Sequence, residues 1–293
     1  MAERRLAFVL GGGGARGALQ VGALRALLES GWRPDLLVGT SVGAMNATCL
    51  ALNGLNPKGL AALEGAWEDA SKSCLLNPNH SWLTLRALLN HPDGHAILRL
   101  RAFFRAHGAT SNLRFADIPD VQLAMVAADL NTGCPVIYGT DPDHSVLEGL
   151  FASTALPPWV MPLENDERYI VDGGALSNLP VEPALRLGAT EIVALDLADP
   201  VCFSDTGRQV NRFFNKLSYA VCQRQSELEI TLAKSFGVRV HRIILRSPNT
   251  TPIWDFSAYS ELIAHGYEIT CQELSRWEQP QESWPETLNQ MVV

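Results

Sequence analysis

The stretch Val38-Gly39-Thr40-Ser41-Val42-Gly43-Ala44 places a serine between an apolar run at 36–38 and a helix-like segment at 45–52. This order predicts a strand, a sharp turn and a helix, with the serine at the turn. A G-x-S-x-G turn of this kind lifts the serine Oγ clear of the sheet, and the two glycines let the strand and the helix cross closely. We therefore interpret Ser41 as a candidate nucleophile.

A second strand-turn-helix unit precedes this one and carries Gly11-Gly12-Gly13-Gly14-Ala15-Arg16-Gly17 at its turn. Successive glycines before a helix present backbone N–H groups without side chains, and the helix dipole adds positive partial charge, so the loop can hold a phosphate or an oxyanion. Because the turn with Ser41 opens at the same edge of a parallel sheet, we favour an oxyanion hole over a turn that serves packing alone. For Arg16 we favour a structural role, in which it holds the loop by bonding carbonyls, over contact with the site.

The same loop satisfies G-x-G-x-x-G over residues 12–17, which is the fingerprint of dinucleotide binding. That function needs an acidic residue about 20 positions further on, at the end of the second strand. Thr40-Ser41 occupies that end, and Asp35 stands at the beginning of the strand. NAD binding therefore remains the less favoured alternative.

An aspartate follows a later strand-like run at 168–171 and begins the sequence Asp172-Gly173-Gly174. The end of a strand, with glycines that allow close approach of the backbone, is well suited to place a carboxylate against Ser41. A turn-forming Asp-Gly pair explains the same residues equally well. These residues alone leave both explanations open.

The remaining elements alternate between strands and helices. Strands are predicted at 121–128, 135–138, 191–197 and 238–245, and helices at 18–28, 60–70, 147–154, 203–236 and 259–274. Two helices joined by a turn are predicted within 74–107. We favour packing of their apolar faces in the core over an acyl-chain pocket or an interfacial surface. Residues 155–162 are too rich in proline to be helical, and the tail from 279 is predicted to be loose.

The chain has 293 residues, of which 47% are hydrophobic, so it can bury the core of one α/β domain. We predict a catalytic core over 1–200 and a C-terminal extension over 201–293, made of helices and a strand and packed on the same domain. The net charge of −8, without basic clusters, argues against a nucleic-acid partner. It also disfavours simple electrostatic docking on anionic membranes.

Six cysteines are scattered without a C-x-x-C pair, and the N-terminus leads directly into a strand. Both features predict an intracellular, reduced protein of the cytoplasm. No uninterrupted apolar stretch reaches the roughly 18 residues that a spanning helix needs. A lipid substrate would be met from the water side, with peripheral membrane contact, and Trp82, Leu83 and Trp159 are predicted to lie near the opening and to favour an interface.

Four sequence blocks are far more specific together than any one of them alone. They are 12–17, 39–43, Ala152-Ser153-Thr154-Ala155-Leu156-Pro157 and Asp172-Gly173-Gly174. In order and spacing they resemble the patatin-like phospholipase family, over residues 6–200. The residues beyond 200 resemble the extension of bacterial patatin-like proteins.

This resemblance implies a three-layer αβα sandwich with a mostly parallel central sheet, and an enzyme that cleaves acyl esters of lipids. It implies a Ser-Asp dyad without histidine, in which Ser41 is the nucleophile and Asp172 the base. The backbone amides of the oxyanion hole would belong to Gly12, Gly13, Gly14 and Val42. The supporting motif residues would be Gly11, Arg16, Gly17, Gly39, Gly43, Gly173 and Gly174. Neither a metal nor a cofactor is implied.

The order of the histidines agrees independently with a dyad. An α/β-hydrolase triad runs serine, acid, histidine along the chain, and of the seven histidines only His241 and His265 follow Asp172. Neither stands at an obvious strand end that faces the site, so a hidden triad histidine is less favoured. An acyltransferase that uses the same acyl-enzyme also remains open, and the sequence leaves the oligomeric state unassigned.

Overall fold

One sheet runs through the computed structural model, which describes residues 4–73, 75, 76, 79, 94–165, 168–198 and 209–277. Its eight strands are β1 (Leu6–Leu10), β2 (Leu36–Thr40), β3 (Gln122–Asp129), β4 (Cys134–Tyr138), β5 (Leu163–Asn165), β6 (Arg168–Asp172), β7 (Glu191–Ala198) and β8 (Arg239–Arg246). The order is β5-β6-β3-β2-β1-β7-β8, and β4 pairs with β3 off this path. Pairings among β1, β2, β3, β7 and β8 are parallel, and those of β4, β5 and β6 are antiparallel. The sheet is thus mostly parallel, as predicted.

Helices cover both faces of this sheet. They are α1 (Ala18–Glu29), α2 (Val42–Asn53), α3 (Pro57–Lys72), α4 (Gly94–Ala106), α5 (Val146–Ser153), α6 (Val181–Arg186), α7 (Gln209–Ser235) and α8 (Tyr259–Trp277). Along β1, Leu6, Phe8 and Leu10 pack with α1 to α5 and α8, whereas Ala7 and Val9 pack with α6 and α7. Because successive side chains of a strand point to opposite faces, a fully apolar strand needs a helix layer on each side. The result is the predicted three-layer αβα sandwich.

The ends of β2 and β6 meet along one edge of β3, and this junction positions the candidate site. Thr40, the last residue of β2, pairs with Val126, and Asp172, the last residue of β6, pairs with the next residue, Ala127. Since β4 pairs with both of these β3 residues on the other edge, β2 and β6 must share the first edge. The antiparallel direction of β6 turns its last residue towards the turn that follows β2.

Most predicted elements agree with the structure, and two departures concern the site's surroundings. The short strand β5 was not predicted. Trp159 is buried against Trp254, so it offers no exposed surface to an interface, contrary to the sequence-based expectation. The second helix predicted within 74–107 is α4, whereas the first, with Trp82 and Leu83, lies outside the described residues, as does the tail from 279.

The C-terminal part continues the same sheet and packs on the same helices. Strand β8 pairs with β7 in parallel register, and α8 lies directly on α1. In the described part of the chain, no helix combines the length and the apolar character needed to cross a membrane. The four described cysteines carry free thiols. The domain boundary at 200 and the cytoplasmic location stay predictions.

Candidate active site

Ser41 occupies a strained backbone position between β2 and α2, with φ 56° and ψ −123°. A positive φ is uncommon for a residue with a side chain, and such strain persists where the surroundings enforce it. A Cβ atom on Gly39 would lie 2.4 Å from the carbonyl oxygen of Gly43, and one on Gly43 would lie 2.1 Å from that of Leu10. Backbone therefore meets backbone on both sides of the serine, and only glycine fits at these two positions.

Asp172 ends β6 with its carboxylate almost fully buried beside Ser41. Its Oδ1 accepts the N–H of Gly174 at 2.8 Å, and a Cβ on Gly173 would lie 2.3 Å from the Val126 carbonyl oxygen. Burial raises the pKa of Asp172 to about 6, and hydrogen bonding from the Ser41 hydroxyl and the Gly174 amide opposes part of that rise. A carboxylate of this kind is poised to accept a proton near neutral pH.

The second carboxylate oxygen, Oδ2 of Asp172, is buried and makes no hydrogen bond of standard geometry with any described atom. The Ser41 hydroxyl is close enough to lower the pKa of the carboxyl group, but it forms no hydrogen bond of standard geometry with Oδ2. Catalytic hydrogen bonds are often long or poorly aligned until a substrate is bound. An unpaired buried oxygen is otherwise costly, so its position beside a serine hydroxyl points to chemistry.

The glycine-rich loop lies directly beside Ser41, because a Cβ on Gly12 would be 3.2 Å from the Cβ of the serine. The N–H of Gly12 donates to the carbonyl of Asn178 at 3.0 Å, and the N–H of Gly11 donates to the carbonyl of Leu195 at 3.2 Å. These two amides therefore anchor the loop to its neighbours. Gly12 was expected to line the oxyanion hole, and its engaged N–H group contradicts that part of the expectation.

The backbone N–H groups of Gly13, Gly14 and Val42 are not engaged in this way. Gly14 opens a 3-10 helix over Gly14–Gly17, and Val42 opens α2, where the first N–H groups have no acceptor within the helix. Within the described residues, none of the three N–H groups donates to a protein acceptor. Gly14 also has φ +59°, and a Cβ there would lie 2.5 Å from the carbonyl oxygen of Ile253, so this position needs glycine.

The sequence model of the patatin-like phospholipases matches residues 8–185, more than half of the chain. The chain belongs to the patatin-like phospholipase family. The match spans both turns, the 152–157 block and Asp172-Gly173-Gly174, which are the blocks that carried the resemblance.

Relatives of this patatin-like chain are mostly much longer proteins. A putative patatin-like phospholipase domain-containing protein of Caenorhabditis elegans is 24% identical over 93% of this chain and 26% of its own length. Patatin-like phospholipase domain-containing protein 7 of Mus musculus is 30% identical over 66% of this chain and 13% of its own length. The chain thus spans about a quarter or less of these two curated relatives.

Among solved structures, human GIVD cytosolic phospholipase A2 superposes with a TM-score of 0.55 over 93% of this chain and 59% of that chain. The two sequences are 13% identical, so the similarity is one of fold.

Two further polar residues hold the patatin-like site in place. Ser153, fully buried at the end of α5, accepts the N–H of Ser41 at 2.9 Å and donates its hydroxyl to the Val126 carbonyl at 2.7 Å. The sequence assigned Ser153 no role, although a serine at the end of a short, mostly apolar helix is a signal for one. Arg16 is buried and its Nε donates to the carbonyl of Gly13 at 3.2 Å, a bond of the kind that the predicted structural role requires.

The described histidine side chains pair with carboxylates other than Asp172. Each is within 4 Å of another carboxylate: His107 with Asp69, His144 with Asp141, His241 with Glu191 and His265 with Glu268. His241 also stacks against Trp32 and Trp277 near the start of β8, at the opposite edge of the sheet. None of these four side chains takes the position of a triad histidine.

The nucleotide-binding alternative gains no support from the loop's surroundings. Asp35 stands at the start of β2, where its Oδ2 accepts the N–H of Leu6 at 2.7 Å. At the end of the strand, the Thr40 hydroxyl donates to the carbonyl of Ser177 at 2.9 Å. No described carboxylate is therefore placed at the end of β2 to receive ribose hydroxyls, apart from Asp172, which faces Ser41.

A small apolar cavity of about 50 Å³ begins at Val42, the residue next to Ser41. It runs between α2, α3 and α4, and Cys49, Trp67, Phe103 and Phe104 line its wall. The α4 face of 74–107 thus lines a cavity that reaches the residue next to the serine.

Proposed function

We propose that this patatin-like chain hydrolyses acyl esters of lipids, with Ser41 as nucleophile and Asp172 as general base. The observation that carries the proposal is the junction of β2 and β6 on one edge of β3, which sets a strained serine against a buried aspartate. The names of the family and of its relatives agree with a phospholipase. The apolar cavity beside Ser41 agrees with a fatty acyl substrate.

In the proposed first step, the Ser41 Oγ attacks the ester carbonyl carbon and its proton passes to Asp172. The carbonyl oxygen becomes an oxyanion that accepts hydrogen bonds from the amides of Gly13, Gly14 and Val42. Collapse of this intermediate expels the alcohol, which takes the proton from Asp172, and leaves the acyl group on Ser41. Asp172 then takes a proton from water as the water attacks, and it returns that proton to Ser41 when the fatty acid leaves.

A long-chain alkyl fluorophosphonate tests the role of Ser41, because the attacking oxygen displaces fluoride and keeps a stable adduct. We expect one equivalent to inactivate the protein and to add the mass of the reagent, less HF, to the peptide that contains Ser41. Ser275→Ala, which removes an exposed hydroxyl on α8, is the matched control and should label like the wild type. Labelling of another residue, or hydrolysis of p-nitrophenyl esters by a folded Ser41→Ala variant, would overturn the assignment.

Acyl transfer uses the same acyl-enzyme and differs only in the acceptor. An added alcohol that lowers the yield of free fatty acid and forms a new ester in its place would assign transferase activity to the site. Unchanged yield of free acid supports hydrolysis.

Chain-length preference tests whether the cavity receives the acyl chain. Cys49 stands eight residues after Ser41, which is about 12 Å along α2 at 1.5 Å per residue. Cys49→Phe should therefore shorten the cavity and lower the ratio of kcat/KM for p-nitrophenyl palmitate over butyrate by at least about tenfold, equivalent to two methylene groups at ~0.8 kcal/mol each. Cys49→Ala is the matched control and should keep the long-chain preference. An unchanged ratio in folded Cys49→Phe would place the acyl chain elsewhere.

A further inference from the structure

The helix α7 is anchored to the rest of the protein by its C-terminal half. Ile230 and Ala233 are buried in the core under the sheet, and the Glu229 carboxylate accepts the N–H of Glu182 at 2.8 Å. Glu227 forms an ion pair with Arg242 on β8. One face of this half is thereby fixed against β8 and α6.

The opposite face of α7 presents large apolar side chains to solvent. Leu217, Val221, Leu228 and Leu232 are 47%, 44%, 51% and 39% exposed. At 100° per residue these four positions fall within an arc of about 60°, so they form one continuous row, which we call the α7 stripe. Contiguous exposed apolar rows on a folded protein mark surfaces that bind a partner or a lipid phase.

The charge around the α7 stripe differs from that of the whole chain. Arg224 is exposed one turn before Leu228, and Lys216 is exposed at the N-terminal end of the stripe. Residues 209–226 contain no Asp or Glu in a protein whose net charge is −8. The two acids that flank Leu228 are engaged, Glu227 with Arg242 and Glu229 with the N–H of Glu182. An exposed apolar row flanked by cations is typical of helices that lie in the headgroup region of anionic membranes. The cationic surplus belongs to the N-terminal half of α7, and the net charge of the chain conceals it.

The same helix borders the loop that carries the candidate base. On its inward face, the Cys222 thiol lies 4.0 Å from the carbonyl oxygen of Gly174. The Gln225 side-chain amide donates to the carbonyl of Ala175 at 2.9 Å. A surface bound to the α7 stripe would therefore be within one helix diameter, about 10 Å, of the Asp172 loop.

We propose that the α7 stripe docks the protein on a lipid surface that carries anionic headgroups and so brings the lipid ester to the site. The apolar side chains enter the acyl boundary, and Lys216 and Arg224 contact the headgroups. The inference rests on the proposed lipid acyl hydrolase function, because that function supplies the reason for a lipid surface beside the Asp172 loop.

Vesicle flotation of the full chain tests this docking, with vesicles of phosphatidylcholine alone and of phosphatidylcholine mixed with phosphatidylglycerol. We expect wild type to bind the mixed vesicles and Leu228→Gln to bind them at least about tenfold more weakly. Leu130→Gln is the matched control, since Leu130 is 49% exposed on the turn after β3 and should leave binding unchanged. Arg224→Gln should weaken binding to mixed vesicles by about fivefold and leave the weak binding to neutral vesicles unaltered.

Hydrolysis of a monomeric short-chain ester separates docking from catalysis. The α7 variants should hydrolyse it at the wild-type rate while they lose activity on mixed vesicles. A wild type that hydrolyses the monomeric ester but does not bind either vesicle overturns the docking proposal and leaves the hydrolase standing. A wild type that binds mixed vesicles through the α7 stripe but hydrolyses no ester overturns the function and leaves the docking. A change of oligomeric state in Leu228→Gln, measured by light scattering with vesicle binding intact, would assign the stripe to a second copy and overturn the proposal.

Discussion

Asp172→Asn is expected to remove nearly all ester hydrolysis and, in the same molecule, to raise the stability of the fold above pH 6. An amide cannot accept the Ser41 proton, and loss of a positioned general base typically lowers kcat by about 10²–10⁴-fold. In the wild type, kcat/KM should fall as the pH decreases through about 6, where Asp172 takes up a proton. Assays of the wild type and of the Asn variant from pH 5 to pH 8 check both expectations.

The expected gain in stability follows from the direction of the pKa shift. The folded-state pKa of Asp172, about 6, lies above the ordinary value of 3.8 because of burial. Below pH 4 the buried carboxyl is protonated, and the fold has the full stability that the neutral group allows. That stability is lost as the pH rises through 6 and the buried carboxyl ionises. At pH 8 the cost is about 3 kcal/mol, which Asp172→Asn relieves. Thermal melts should show a higher Tm for the variant at pH 8 and no difference at pH 4.

Asp129 provides a control of opposite sign at the end of the neighbouring strand. Burial alone would raise the pKa of Asp129, but hydrogen bonds from Asn131 and Thr132 outweigh it and lower the pKa. Asp129→Asn should therefore lose stability above pH 4 and keep its hydrolytic activity. An Asp172→Asn variant that keeps the wild-type rate, or that melts at the same temperature as wild type at both pH values, would contradict the role of Asp172 as a buried base.

The turn at Ser41 was predictable because its determinants are local. The G-x-S-x-G spacing follows from close approach of backbone on both sides of one residue, as the contacts that a Cβ on Gly39 or Gly43 would make demonstrate. The neighbouring glycine loop was predictable for the same reason. Both turns are specified within a few residues of sequence.

The meeting of Ser41 with Asp172 depends on pairing between distant strands, which no local pattern encodes. The sequence placed Asp172 at a strand end, but it did not reveal that β6 runs antiparallel and shares an edge of β3 with β2. The engagement of the Gly12 amide by Asn178 and the bond from Ser41 to Ser153 are long-range contacts as well. These long-range contacts determine which of the predicted backbone N–H groups remain available to bind an oxyanion.

Gly266→Ala is expected to destabilise the whole protein, because α8 and α1 touch backbone to backbone. A Cβ on Gly266 would lie 2.0 Å from the carbonyl oxygen of Leu19, and one on Gly22 would lie 1.9 Å from that of Ile263. A methyl group at either position forces the two helices apart, and overpacking of this kind costs about 1–3 kcal/mol. Gly65→Ala on α3 is the matched control, since its Cβ would meet nothing within 4 Å. Without a clash, alanine in a helix is favoured over glycine by about 1 kcal/mol, so this control should be stabilised.

The effect of Gly266→Ala on the active site tests whether the C-terminal part is integral to the catalytic core or an appended unit. Helix α1 follows directly on the glycine loop, and the N–H of Ala15 donates to the carbonyl of Ile253, just before α8, at 2.9 Å. Separation of α8 from α1 should therefore displace the loop beside Ser41, and Gly266→Ala should lose ester hydrolysis and helical structure in a single thermal transition. Two separate transitions, with hydrolysis surviving the first, would mean that residues beyond 200 form a unit that the catalytic core does not need. Because one movement of α8 relieves both clashes, Gly22→Ala/Gly266→Ala should cost less than the sum of the two single variants.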